Sequence, residues 1–509
     1  MKLSRLTSLF FASALPLASV PAFAEIDFGN IAFVGDSITQ GGGTADELSY
    51  RYSLWKCFVD NNVDYNPVGS TTIFRYTGSD LTNAKDYLGV SFNNRNEGHY
   101  GWRTHWVVNG KTSGQQANTG SGSLSDWLKN AEYYPKGYAD TMTLMLAVND
   151  IADGSSLESI AGYAKQIVQT YQNANGNVKS HVFSILTTNQ GAERATKIKN
   201  YNALIKSEIE AGTWGENVVY SDVSRGFDAS IHTKSDNVHP NAQGALIVAG
   251  NIARALGVGQ RTVGQERRAA NRLAVQTSFA ASDSTGVFVS VNTQGAQSAT
   301  MGYSNTTGRW SVDDAGNILI KSDGNTASDL RYQYSTEAGT HEFTLEVGFR
   351  MNDTDSAQTN RLGIWCGNGE TVGLIYVEEN ALFWDSTVLY RNTDLSDLFV
   401  DDFSSLRLAW INEDAANGIA SGYYVWLDGM LIGEALTGST LADIVGYKNS
   451  IVIGNTASSY DTFAEISDIA FDAGTAWAPG AIPEPSAFGL LAGLGALALV
   501  ASRRRRSRR

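Results

Sequence analysis

Cysteine is scarce in this 509-residue chain. Its two, Cys57 and Cys366, lie far apart in segments that read as different domains, so both are expected to be free thiols rather than a disulfide. Positive charge is scarce as well, with 38 Lys and Arg against 52 Asp and Glu and a net charge of −14. Eight of the basic residues sit in the end segments (Lys2, Arg5, Arg503 to Arg506, Arg508, Arg509), and removing them leaves a body at about −22 if no acid goes with them. Such a body repels nucleic acid and anionic membranes. A third metal ligand at suitable spacing from His99 and His105 is also missing, so neither a metal nor a cofactor is expected. The chain is too long for one core, and two or more domains follow.

What the chain does have is the stretch Ile31-Ala-Phe-Val-Gly-Asp-Ser-Ile-Thr-Gln40. Its apolar start reads as a strand buried on both faces. Gly35 permits a sharp turn, and Ser37 falls where strand hands over to loop and helix, with its hydroxyl exposed above the sheet and its own N–H available. Nucleophilic attack on an ester needs both. Before this stretch, Lys2 and Arg5, the apolar run Leu9 to Val20 and Ala22-Phe-Ala24 read as a secretory signal, with the mature protein beginning near Glu25.

Downstream, strands and helices alternate. Helices are expected over Ser49 to Asn61, Leu157 to Asn173, Glu193 to Ala211 and from Pro240 to about Leu256. Strands are expected over Asp64 to Gly69, Thr141 to Val148, His181 to Leu186 and Val218 to Ser221, with 70–97 as an irregular insertion. This alternation argues for a parallel sheet covered by helices on both faces. His239 has a carboxylate three residues before it, Asp236, and Pro240 after it. Asp236 would hold the imidazole tautomer, and His239 would take the Ser37 proton and return it to the leaving alkoxide. The N–H groups of Ser37 and Gly101 and the side-chain amide of Asn149 would form the oxyanion hole.

Four blocks, Gly35-Asp36-Ser37, the glycine of Gly98-His-Tyr-Gly101-Trp-Arg, Asn149-Asp150 and Asp236-Asn-Val-His239-Pro, resemble those of the SGNH (GDSL-type) hydrolases. Within that family, Tyr50-Arg-Tyr-Ser-Leu-Trp-Lys56 and Glu97-Gly-His-Tyr-Gly-Trp-Arg103 are most similar to secreted carbohydrate esterases that deacetylate xylan and related glycans. The resemblance covers about Ile26 to Gly257. It implies a flavodoxin-like three-layer α/β/α domain and carries Ser37, Gly101, Asn149, Asp236 and His239 into their roles. One position departs from the pattern: the family has Gly two residues before the block Asn, and here it is Ala147. Other residues read more plainly. His99 and His105 are expected as hydrogen-bonding or wall residues, and His232 as a surface residue. Asp150 is expected to cap local backbone. Trp102 is a candidate sugar platform, with core packing as the competing reading, as it is for Trp106.

Beyond Gly257, helical spacing gives way to alternation. Phe343 to Phe349, Leu406 to Trp410, Tyr424 to Trp426, Ile451 to Gly454 and Glu465 to Phe471 read as strands, and Leu427-Asp-Gly-Met430 reads as a hairpin. An all-β sandwich is expected. Tyr423 to Gly433 and Glu465 to Phe471 resemble laminin-G/concanavalin-like jelly rolls, which implies either glycan binding or a spacer packed on the esterase.

At the end, Ile482-Pro-Glu-Pro-Ser486, an apolar run of about 15 residues from Ala487 to Ala501, and the Arg cluster resemble the Pro-Glu-Pro C-terminal sorting signal of Gram-negative bacteria. The run is short of the ~20 residues of a usual membrane span, and a plain anchor is the competing reading. The sorting signal implies processing by an exosortase, transient association with the inner membrane, and delivery to the envelope surface or extracellular matrix.

The expected organisation is a signal peptide (1–24), an SGNH hydrolase domain (25–257), a linker (258–275), a sandwich (276–478) and a sorting tail (479–509). The expected function is a secreted serine esterase acting on O-acetylated polysaccharide. A lipase or lysophospholipase of the same chemistry is one alternative, and a catalytically silent glycan-binding surface protein is another.

Overall fold

The computed structural model describes residues 26–258, except 43–47, 76–85 and 112–119, and residues 274–473 between short gaps. The segments read as signal peptide and sorting tail, and most of the one read as linker, therefore lie outside the described residues.

The first half runs β1 (Asp27–Gly35), α1 (Ser37–Gln40), α2 (Tyr50–Asp60), β2 (Asp64–Val68), β3 (Glu97–Gly98), α3 (Thr104–Asn109), α4 (Leu124–Leu128) and β4 (Thr141–Met145). It continues with α5 (Val148–Ala152), α6 (Leu157–Ala174), β5 (Lys179–Phe183), α7 (Ala192–Glu210), β6 (Val218–Ser221), α8 (Ala229–His232) and α9 (Ala242–Ala255). The sheet order is β2-β1-β4-β5-β6, and the short β3 joins the end of β1. All of these pairings are parallel. Leaving β3 aside, this is the flavodoxin-like order, whose ligand crevice opens at the strand ends where the chain reverses direction across the sheet. That point lies between β1 and β4, beneath Ser37 and Asn149.

Two local differences from the sequence reading matter. The strand expected to run to Val148 stops at Met145, and Val148 opens α5, so Asn149 stands in the first turn of a helix. Pro240 does not open α9; Asn241 caps it through its side chain, which accepts from Gly244 N–H.

The second half holds two antiparallel sheets of nine and eight strands. The central strand Phe343–Met351 pairs with Ser404–Ile411 on one side and Thr462–Ala473 on the other. Its polar face is covered as well: Glu346, 5% exposed, accepts from Ser405 Oγ and the Arg407 guanidinium. The expected hairpin is present, with Asp428 and Gly429 both at positive φ (49° and 80°), as a two-residue type I′ turn requires.

The two halves share one continuous core. Residues 244–253 of α9 are all buried, because α9 has the parallel sheet's helix layer on one side and the antiparallel β-rich half on the other. A helix apolar all round needs cover all round. Gly250 lies against Met430, where an added Cβ would come within 3.0 Å. The Gln243 side-chain amide donates to the carbonyls of Leu389 and Ile432, and Lys56 pairs with Glu434 at 2.6 Å. Cys57 and Cys366 are free thiols. Among the described residues, no helix is long and apolar enough to cross a membrane.

Candidate active site

Gly35 ends β1 where no side chain fits, since a Cβ there would sit 2.1 Å from Thr39 Oγ1 and 2.7 Å from the Met145 carbonyl oxygen. The chain then turns at Asp36, whose carboxylate accepts from the Ile38 N–H at 3.0 Å, and Ser37 begins α1. Ser37 Oγ lies 2.8 Å from His239 Nε2. His239 Nδ1 lies 2.7 Å from Asp236 Oδ2. Ser37 and the Asp236/His239 pair, about 200 positions apart in sequence, are thus one connected hydrogen-bond relay.

The loop carrying Asp236 and His239 is held from several directions. Asp236 Oδ1 accepts the N–H groups of Val238 and His239. Asn237 takes φ of 61°, a conformation asparagine tolerates, and its carbonyl accepts from Asn189 N–H. Gln190 donates to the Asp236 carbonyl. Partial burial works to raise the Asp236 carboxyl's pKa. The N–H donors of His239 and Val238, together with the imidazole, outweigh it and hold Asp236 below the ordinary carboxylate range. It is therefore charged at neutral pH and able to stabilise an imidazolium.

The glycine turn is pinned beside α1. His99 N–H donates to the Gly35 carbonyl at 3.0 Å, and Tyr100 N–H to Gln40 Oε1 at 2.8 Å. Gly101 sits at φ 72°, and the next residue, Trp102, gives its carbonyl to Asn149 Nδ2 at 2.9 Å. Asn149 thereby ties α5 to the turn. Asp150 accepts from Thr104 N–H and Oγ1, so it caps backbone as expected, at the start of α3. Ala147, where the family pattern has Gly, takes φ of 154°, a region that side chains other than glycine rarely occupy.

Three placements differ from expectation or extend it. Trp102 is fully buried, stacked among His99, Trp106 and Trp127. It is a packing residue and presents no platform to a sugar. His232 is 1% exposed rather than on the surface. It accepts from Asp228 N–H, and burial under the sandwich pushes its pKa down to about 4. His99 pairs with Glu97 at 2.9 Å, both fully buried, while His105 packs on Trp106 and Tyr163. Among the described residues, no group of three or more His, Cys, Asp or Glu could hold a metal.

Sequence reasoning missed two participants. Asp36 is fully buried, and burial raises its pKa to about 7. Arg75, 5% exposed, brings Nη1 to 2.5 Å from His239 Nε2 and lays its guanidinium over the Tyr100 ring at 5.1 Å.

Similarities to known proteins run along both the hydrolase half and the tail. One solved structure is a carbohydrate esterase family 3 protein from Talaromyces cellulolyticus, 24% identical, covering 45% of this chain and 95% of that one with a TM-score of 0.34. A family 3 carbohydrate esterase from Clostridium thermocellum is 21% identical over 45% of this chain and 94% of that one, with a TM-score of 0.33. An acetylxylan esterase from Geobacillus stearothermophilus is 15% identical over 45% and 94%, with a TM-score of 0.29. No curated protein matches the chain. The PEP-CTERM protein-sorting motif matches residues 481–506, and the model of the GDSL-like Lipase/Acylhydrolase family matches residues 33–247, a stretch that contains Ser37, Asp236 and His239.

Proposed function

We propose that the protein is an exported serine esterase that removes small acyl groups, acetyl above all, from polysaccharide. The observation that carries this is the unbroken relay Asp236–His239–Ser37, with contacts of 2.7 and 2.8 Å. Ser37 Oγ attacks the ester carbonyl carbon while its proton passes to His239 Nε2, and Asp236 stabilises the imidazolium. The oxyanion is received by the N–H groups of Ser37 and Gly101 and by the Asn149 amide, of which one N–H holds Trp102. The carbon–alkoxide bond breaks, and the alcohol leaves with the proton from Nε2. Water then adds to the acyl carbon by the same route, releasing the acid and restoring Ser37.

A small acyl group suits the enclosure. Ser37 is only 3% exposed, and the Arg75 guanidinium, lying over the Tyr100 ring, meets the same His239 nitrogen, which weighs against the long chain of a lipase substrate. The acidic body and the sorting motif support a site of action at the cell envelope, after exosortase processing, on acetylated glycan. A silent binding protein is disfavoured because every member of the relay is present and connected.

Ser37→Ala tests the reading. Release of acetate from p-nitrophenyl acetate is expected to fall by roughly 10⁴-fold or more with the fold intact, and wild-type turnover is expected to drop steeply on long-chain esters. A Ser37→Ala variant with near-wild-type turnover would refute the nucleophile assignment. Acetate release across a panel of acetylated glycans then identifies the natural substrate.

A further inference from the structure

We infer that Arg75 is a catalytic residue that stabilises the leaving alkoxide, an assignment that rests on the esterase reading above. Its Nη1 lies 2.5 Å from His239 Nε2, the same nitrogen that Ser37 Oγ approaches at 2.8 Å. Nε2 has a single lone pair when Nδ1–H faces Asp236, so guanidinium and serine hydroxyl both donate toward one acceptor.

That arrangement changes once the reaction begins. When His239 takes the Ser37 proton, Nε2 loses its lone pair and no longer accepts from Arg75 Nη1. The alcohol oxygen of the ester is the atom that next takes the proton from Nε2. It must come within hydrogen-bond reach of Nε2, which places it beside Nη1. As the carbon–oxygen bond breaks, the electron pair goes to that oxygen and then binds the proton, so negative charge develops there briefly. A guanidinium meets it as a fixed cation with a directed donor. The interaction exists only while the bond is breaking, which is where stabilisation accelerates the step.

The arginine is positioned for this from both ends. Its own N–H donates to the Gly41 carbonyl at 2.9 Å, the preceding Phe74 is fully buried against Trp55 and Phe92, and Gln40 Nε2 holds the Ile73 carbonyl at 3.2 Å. The guanidinium rests on Tyr100, itself fixed by Gln40. One glutamine thus holds both the strap bearing Arg75 and the backbone of the residue whose ring lies beneath it.

The role predicts a dependence on the alcohol. A p-nitrophenolate leaves readily without help, whereas a sugar or alkyl alkoxide does not. The experiment measures kcat/KM, which reports acylation, for wild type, Arg75→Gln and Arg75→Lys on acetates of p-nitrophenol, phenol, trifluoroethanol and a monosaccharide. For Arg75→Gln the loss is expected to grow from several-fold on p-nitrophenyl acetate to about 10²-fold or more on the sugar acetate. Arg75→Lys, which keeps the charge, is expected to recover part of the sugar-acetate loss. A loss of equal size on every ester, or no loss on any, overturns the role of Arg75 while Ser37-dependent hydrolysis by wild type leaves the esterase reading standing. Wild-type enzyme lacking Ser37-dependent acetate release overturns both.

Discussion

The α/β half contains two histidine–carboxylate pairs of nearly the same length, Glu97–His99 at 2.9 Å and Asp236–His239 at 2.7 Å. They differ in exposure and in which nitrogen meets the acid. In the first pair the side chains are 0% and 1% exposed, and the contact is made by Nε2; in the second they are 39% and 12% exposed, and the contact is made by Nδ1. Glu97 spends its remaining acceptor capacity on Ser70 N–H and Oγ and on the Tyr134 hydroxyl. His99 is clamped between Trp102 and Trp127, with ring centroids 4.6 Å away on each side. That pair is sealed and structural. The second leaves Nε2 turned toward Ser37, in a loop with a path to solvent. A histidine–acid pair becomes chemistry when its other nitrogen faces a reactive atom.

Removing the acid should separate the two pairs. Asp236→Asn leaves hydrogen-bonding capacity but disturbs the tautomer, and kcat is expected to fall by about 10⁴-fold, with stability changed by no more than about 1 kcal/mol because the pair is part-exposed. Glu97→Gln should do the reverse. An amide nitrogen turned toward a ring of donors leaves a buried network broken, and denaturant melts are expected to show a loss of about 3–5 kcal/mol, while kcat of the folded enzyme stays within about tenfold. If Glu97→Gln abolished turnover at full stability, the sealed pair would belong to the catalytic machinery.

A third carboxylate sharpens the contrast by having no histidine. Burial raises Asp36 to about 7, with the Ile38 N–H and the nearby Arg75 cation opposing the rise. Its unfolded value is near 3.9, so between about pH 4 and 7 the folded state binds more protons than the unfolded one. This group's contribution to stability therefore falls as pH rises through that window and stays low above it. Asp36→Asn keeps an oxygen for the Ile38 N–H and removes the ionisation. Relative to wild type it should gain stability progressively from pH 4 to 7, by up to about 4 kcal/mol at the alkaline end. Parallel stability curves for the two proteins would show that Asp36 is not held neutral by burial.

What could be read from the sequence follows the range of the interactions. Ser37, Asn149, Asp236 and His239 stand in short blocks where local turns do most of the positioning, and the parallel sheet follows from apolar strands alternating with helices. Trp102 resisted assignment because its surroundings come from Trp127 on α4, across a segment with no periodic pattern. His232 reads as a surface residue because the element burying it is the antiparallel half, whose packing on α8 and α9 leaves no periodic mark on the loop between them. The stretch of α9 from Gly244 to Ala253, apolar except for Asn251, was the available signal that another layer would cover it. Arg75 had none: it lies in an irregular strap, 164 positions from His239, brought there by the hydrogen bonds of Gly41 and Gln40 and the burial of Phe74.

The smallest expected effect concerns the backbone beneath Asn149. Ala147 carries φ of 154° and ψ of −6°, and its methyl is fully buried. Glycine adopts such conformations without a Cβ clash, whereas for alanine strain of this kind costs on the order of 1–3 kcal/mol. Replacing it loses one buried methyl, a term of about 1 kcal/mol in the opposite direction, and adds freedom to the unfolded chain. The strain is the larger quantity, so Ala147→Gly is expected to stabilise the protein by about 1 kcal/mol at most. Because Asn149 and Val148 follow directly in α5, the same substitution relaxes the seat of the Asn149 amide without touching the Asp236–His239 pair. The check is a melt combined with kcat on p-nitrophenyl acetate. A modest gain in stability with kcat shifted less than about tenfold fits strain held locally. A clear loss of stability would mean that the buried methyl packs well enough to outweigh its backbone, and that this chain has accommodated alanine where the family pattern has glycine.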